Sequence, residues 1–194
     1  MLSPTGCQQP CLQKKESKMS HHQAPELLVS QWFNQPVQSL ASLRGRVVLL
    51  HAFQMLCPGC VSHGIPQAVA VSRNFAPDEL LVIGLHTVFE HHAVMGADAL
   101  QVFLHEYRIP FSVGIDQAAD NSSIPLTMQA YAMQGTPTFV LIDRQGVIRM
   151  QHFGMLDDLQ LGVAIGRLLA EPIAADKMVE NLNPLKCDVE KCRI

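Results

Sequence analysis

The chain has 194 residues, 48% of them hydrophobic, and a formal net charge of −3. That is enough chain for one domain with a sizeable core and polar ends, and so weak a charge gives no electrostatic reason to expect nucleic acid or an anionic membrane as a partner. No stretch approaches the roughly 18 apolar residues of a membrane span and no basic-then-apolar leader opens the chain, so the expected compartment is the cytoplasm, where six cysteines would rest mostly reduced.

Residues 1–23 are polar, low in large apolar side chains, and read as a flexible tail with Met19 as an alternative start. Cys7 and Cys11 within it are either incidental thiols or a metal-binding or pairing motif, and His22 reads as solvated. The domain proper is expected over residues 24–170. Pro25 to Leu43 is an entry segment whose Leu27, Trp32, Phe33, Val37, Leu40 and Leu43 anchor against a sheet edge. Val47 to Phe53, preceded by Arg44-Gly45-Arg46, has the β-branched and aliphatic richness of a short buried strand. It leads straight to Cys57-Pro58-Gly59-Cys60, after which Val61 to Phe75 reads as a helix. Pro58 suits the first helical position, because the amide it lacks would have no intrahelical partner there. Cys57 then falls at the N-cap, where free amides and the positive end of the helix dipole stabilise a thiolate. Cys60 sits one turn in, more buried.

Beyond a turn at Pro77-Asp78, Leu80 to His86 reads as a second buried strand, and Thr87 to Gly96 as a loop carrying Glu90, His91 and His92. A helix follows over Ala97 to Tyr107, with Leu100, Phe103, Leu104 and Tyr107 at i, i+3, i+4 and i+7. Phe111 to Ile115 is a third strand, Asp116 to Pro125 a polar loop and Leu126 to Met133 a short helix. Gly135-Thr136-Pro137-Thr138 turns into a strand ending at Asp143, and Arg144-Gln145-Gly146 makes a hairpin into Val147 to Phe153. The last helix, Leu159 to Leu169, offers Val163, Ile165, Leu168 and Leu169 as its packed face, and residues 171–194 form a polar tail with Cys187 and Cys192. Strands alternating with helices and then a closing hairpin mean an α/β fold with a central mixed sheet flanked by helices.

Two cysteines separated by two residues close a small disulfide with little backbone movement, so Cys57 and Cys60 can store and release two electrons. The same spacing is half of a structural zinc site, or two ordinary buried thiols. Zinc wants a second close pair, and the remaining cysteines lie at the extreme ends of the chain. The strand–CxxC–helix context favours redox chemistry.

The CxxC after a buried strand, the strand end Leu85-His86-Thr87, the Gly-Thr-Pro-Thr turn and the hairpin Ile142-Asp143-Arg144-Gln145-Gly146 occur together. On these, from about Pro25 to Leu169, the chain resembles thioredoxin-fold proteins of the TlpA-like and peroxiredoxin-like (redoxin) group. The long interval from Cys60 to Pro137 matches members that insert an extra strand and helix. The resemblance implies a cis Pro137 facing the cysteines, with the Thr136 backbone free to pair with an extended substrate. Three positions depart from the pattern. Leu56 replaces the usual Trp, keeping the rim apolar, and Gln54 replaces the Thr that helps peroxiredoxins bind peroxide. His51 stands where thioredoxin has its buried acid. As a neutral imidazole it is either an acceptor for the Cys60 proton or a core histidine satisfied by a backbone carbonyl.

The expected activity is thiol–disulfide exchange with protein disulfides, with Cys57, Cys60, Thr136, Pro137 and His51 as the site. A dithiol donor of the thioredoxin or glutathione type would regenerate the pair, with no metal or organic cofactor. One alternative is a thiol peroxidase with Cys57 peroxidatic and Cys60 resolving; another is a non-catalytic metal-binding or scaffold protein using the cysteine and histidine clusters.

Overall fold

The run Val47-Val48-Leu49-Leu50-His51-Ala52-Phe53 has no polar alternation, which suits a strand covered on both faces. In the computed structural model, which describes residues 22–37 and 39–172, every residue of this strand, β2 (Val47–Phe53), is buried. A shorter strand, β1 (Val29–Phe33), precedes it. The others are β3 (Leu80–His86), β4 (Ser112–Asp116), β5 (Thr138–Ile142) and β6 (Ile148–Phe153). They form one six-stranded sheet in the order β1-β4-β3-β2-β5-β6. β2 pairs parallel to β3 and β3 to β4, whereas the β2–β5, β5–β6 and β1–β4 pairs are antiparallel. The mixed α/β sheet expected from the sequence is present.

Successive residues of β2 point to opposite faces and serve two cores. Val47, Leu49 and Phe53 pack with Ile65 and Ala68 of α1 (Ile65–Asn74), Leu100 and Leu104 of α2 (Ala97–Glu106), and Leu161, Ile165 and Leu168 of α4 (Asp158–Ala170). Val48, Leu50 and Ala52 face Leu40, Leu43, Tyr131, Met133 and Met128, the last on α3 (Leu126–Ala130). Among the described residues no helix is long and apolar enough to cross a membrane.

Four local readings change. The entry segment does not merely lean on a sheet edge; it supplies the edge strand β1, whose register against β4 shifts between Val29 and Gln31. That bulge breaks the period-two pattern by which strands are recognised. Backbone pairing also starts at His22, whose carbonyl accepts from the Ile148 amide at 2.9 Å. The single helix read over Val61 to Phe75 opens instead with a π-turn, Cys60–Gly64, closed by the Ile65 amide on the Cys60 carbonyl. Pro66 accounts for it: lacking an N–H, and with its ring against the carbonyl four residues back, it cannot continue an α ladder, and a widened turn relieves the clash. Finally, Val163 is 44% exposed; the packed stripe of α4 is Leu161, Ile165 and Leu168. The tail expectations for residues 1–21 and from 173 on, with Cys7, Cys11, Cys187 and Cys192, lie outside the described residues.

One buried charge holds the short α3. Asp116, at the end of β4, accepts from the Thr127 amide (2.8 Å) and the Met128 amide (3.0 Å), satisfying donors that a helix start leaves open. Burial pushes its carboxyl above the usual range despite these bonds. Asp116→Ala strands both amides and is expected to cost about 3 kcal/mol, read as a lowered urea midpoint, while the exposed Asp120→Ala stays within about 0.5 kcal/mol of the parent.

Candidate active site

The end of β2 delivers the two cysteines to the start of a helix. The Cys57 amide donates to the Gln54 carbonyl at 3.2 Å, and the Val61 amide returns to the Cys57 carbonyl at 3.1 Å. The Cys60 amide points at Cys57 Sγ, 3.3 Å away. This is the bond an N-cap side chain makes with the third residue of a helix, so Cys57 occupies the N-cap place read from the sequence, with Pro58 next. Both thiols are free; Cys57 is partly exposed and Cys60 is fully buried.

The second wall is the turn before β5. The Thr136–Pro137 peptide bond is cis, as the resemblance implied. The Cys57 thiol donates to the Thr136 carbonyl at 3.5 Å. Pro137 faces the CxxC helix closely: a Cβ on Gly59 would lie 3.4 Å from Pro137 Cδ, and one on Gly64 3.3 Å from its Cβ. The turn is tied on its far side, where the Gly154 amide donates to the Pro137 carbonyl at 2.8 Å and the Thr138 hydroxyl to the Gly135 carbonyl at 2.7 Å. Thus four of the five expected site residues, Cys57, Cys60, Thr136 and Pro137, are brought together.

His51 lies beneath them. Its ring stacks on Phe139 at 4.5 Å and Phe53 at 5.6 Å, and the place of a Cβ on Gly64 is only 2.5 Å from its Nε2. Burial lowers its pKa to about 3, so the imidazole is neutral, as expected. Of the two readings of this residue, neither contact is made: no carbonyl and no thiol partners either ring nitrogen. Cys60 shows the opposite effect of the same environment. Burial, reinforced by the Cys57 thiol, pushes its pKa up to about 12, while the Gln54 backbone and the Thr136 hydroxyl act to lower it.

Three neighbours carry weight that the sequence reading did not give them. Gln54, a departure from the peroxiredoxin pattern, is buried with Nε2 3.5 Å from Thr136 Oγ1. Gly64 is the gap that admits His51. His86, at the end of β3, is fully buried with both nitrogens unpartnered. A polar residue inside an otherwise apolar run was the available signal for His86; for Gly64 there was none short of the packing. Among the described residues no group of three or more His, Cys, Asp or Glu side chains is placed to hold a metal ion.

No family model and no curated protein matches the chain. Solved structures do. A thioredoxin-like superfamily protein shares 53% identity and a TM-score of 0.75, over 78% of this chain and 98% of its own. The chain belongs to the thioredoxin-like superfamily. A thiol-disulfide isomerase from Corynebacterium glutamicum is 48% identical at a TM-score of 0.74, covering 77% of this chain and 98% of its own. A secreted Mycobacterium tuberculosis disulfide oxidoreductase, 21% identical at a TM-score of 0.52 over 67% and 87% of the two chains, shares the fold alone. Membership in this thioredoxin-fold redoxin family carries a thioredoxin-like redox function, and the chain is an oxidoreductase of that kind.

Proposed function

We propose that the chain exchanges disulfides with protein substrates through Cys57 and Cys60. The observation that carries this is the position of Cys57: partly exposed, at a helix N-cap, with the Cys60 amide 3.3 Å from its sulfur and the Thr136 carbonyl 3.5 Å away. Cys57 thiolate attacks a substrate sulfur, one substrate thiolate leaves, and a mixed disulfide remains. Cys60 then attacks Cys57 Sγ, the Cys57–Cys60 bond forms and the second substrate thiol departs. The substrate disulfide gains two electrons and the protein dithiol loses them. A dithiol donor of the thioredoxin or glutathione type restores the pair. Exposed Leu56 beside Cys57, and Phe153 and Met155 beyond the Pro137 turn, give this surface an apolar rim suited to a polypeptide. The cytoplasmic setting belongs to the same proposal, since a reducing compartment keeps the pair as free thiols.

The test is stopped-flow oxidation of the reduced protein by an aromatic disulfide and, separately, by hydrogen peroxide. In a full-length background with Cys7, Cys11, Cys187 and Cys192 replaced by serine, Cys57→Ser is expected to abolish reaction with the disulfide, and Cys60→Ser to stop at the mixed disulfide, seen as one added probe mass. Fast reaction with peroxide and slow reaction with the disulfide would replace this reading by the peroxidase one.

A further inference from the structure

Gln67 lies on α1 just beyond the π-turn that carries Cys60, half-buried, and the exchange described above does not use it. Its Nε2 donates to the Leu156 carbonyl at 2.9 Å and to Asp158 Oδ1 at 2.6 Å, which spends both N–H groups of the amide. The other α1 side chains that donate, Ser72 and Asn74, turn back to carbonyls of their own helix. Among the described residues, Gln67 alone ties α1 to another element by side-chain hydrogen bonds.

The tie reaches the segment between β6 and α4, which is held from three directions. The Gly154 amide donates to the Pro137 carbonyl at 2.8 Å, His152 Nε2 meets the Met155 carbonyl at 3.0 Å, and the Leu156 carbonyl takes the Gln67 amide. Phe153 is seated too, since a Cβ on Gly135 would stand 2.9 Å from its Cε2. Yet Met155 is 63% exposed and Phe153 49%. Connecting segments on a protein surface are ordinarily its more mobile parts. This one is clamped, and to both walls of the cleft: to α1, which follows the cysteines, and to Pro137, which faces them. We propose that Gln67 is a positioning residue for polypeptide substrates: it fixes the 154–156 backbone to the redox helix and, through the Gly154 amide, holds the Thr136–Pro137 wall in place beside Cys57. A small disulfide needs only the Cys57 sulfur. A polypeptide must also lie along Thr136 and Met155, and a wall already in place spares the complex the cost of ordering it. The Cys60 amide that meets Cys57 Sγ stands outside this tie, so the thiol itself is left alone.

This inference rests on the thiol–disulfide reading, and one experiment separates the two. Full-length protein with Cys7, Cys11, Cys60, Cys187 and Cys192 replaced by serine keeps Cys57 as its only thiol. It is mixed with 5,5′-dithiobis(2-nitrobenzoate) and, separately, with a synthetic leucine-rich peptide dimer joined by a single disulfide. In each case Cys57 bonds to one sulfur of the probe, the other leaves as a thiolate, and the protein gains the mass of half the probe. Gln67→Met keeps the side chain's length and its fitness for a helix but donates nothing. It is expected to slow the peptide reaction about tenfold, the worth of one or two hydrogen bonds. The aromatic probe should react within about twofold of the parent, a change smaller than a typical hydrogen bond. Asp158→Ala, which spares the bond to Leu156, should give a smaller loss with the peptide, and Asp158→Asn, whose Oδ1 still accepts, should keep the parent rates. With Gln67→Met in place, Asp158→Ala should add nothing. An unchanged peptide rate, equal slowing with both probes, or an additive effect of Asp158→Ala would overturn the role of Gln67 while leaving the exchange reading intact. A parent protein that fails to react with the peptide would overturn both.

Discussion

Replacing Gly64 by alanine is expected to destabilise the protein by about 2 kcal/mol, and removing the His51 ring is expected to reverse the sign. Gly64 has φ −60° and ψ −48°, ordinary helical angles, so its backbone does not require glycine. On propensity alone, alanine would be better by up to about 1 kcal/mol. Packing decides otherwise. The new methyl carbon would stand 2.5 Å from His51 Nε2, 3.0 Å from its Cε1 and 3.3 Å from Pro137 Cβ. The ring has little room to give way, being fully buried and stacked on Phe139 and Phe53. The relief is therefore expected from a shift of the π-turn that carries Cys60. In a His51→Ala background the methyl enters vacated space, and Gly64→Ala becomes neutral or stabilising. Urea unfolding of the four proteins of this cycle measures the coupling; an equal cost of Gly64→Ala in both backgrounds would show that the His51–Gly64 contact does not set the packing of the redox helix.

The elements that fix the site were legible because their signals are local. An apolar run interrupted only by His51, a proline just inside a helix start, a threonine-proline turn and an Asp-Arg-Gln-Gly hairpin each act within a few residues. They give β2, the N-cap cysteine, the turn into β5 and the β5–β6 connection; that Pro137 faces the cysteines is implied by the resemblance alone. What escaped the sequence depends on distant partners. β1 has polar Ser30 and Gln31 at its bulge and becomes a strand only through β4. The exposure of Val163 depends on which side of α4 meets α1 and the sheet; Val163 and Ile165, both offered as core, lie on different sides. The gap at Gly64, the unpartnered nitrogens of His51 and the meeting of Gln54 with Thr136 join residues far apart in the chain. The resemblance singles out His51, and its neutrality follows from burial, but its stacking on Phe139 and the absence of any hydrogen-bond partner are properties of the packed core.

Those unpartnered imidazoles should also make the fold sensitive to mild acid. Burial lowers the pKa of His51 to about 3 and that of His86 to about 4, against 6.5 in the unfolded chain. Above about pH 7.5 both rings are neutral whether the chain is folded or not, and they impose no pH dependence. As pH falls through 6.5 the unfolded chain takes up protons that the folded core refuses, so stability falls with pH until the folded values are reached. Between about pH 7.5 and pH 5 each ring is expected to remove about 2 kcal/mol, together about 4, a large share of the 5–15 kcal/mol that stabilises an ordinary domain. Two carboxyls act on the same titration. The raised Asp116 works in the opposite sense, its burial penalty easing as it protonates, and Glu171, lowered by its bond to Arg149, loses its contribution only in stronger acid. Urea unfolding at the two pH values should give a drop that is roughly halved in His86→Leu and again reduced when His51→Leu is added. An unchanged drop in both variants would mean that water enters this core and solvates the imidazoles. If instead the drop tracks them, the thiols rest on a layer that stays uncharged throughout the physiological range, and the charge that develops on Cys57 during exchange is met by the helix N-terminus, whose Cys60 amide lies 3.3 Å from the sulfur, rather than by a buried ion.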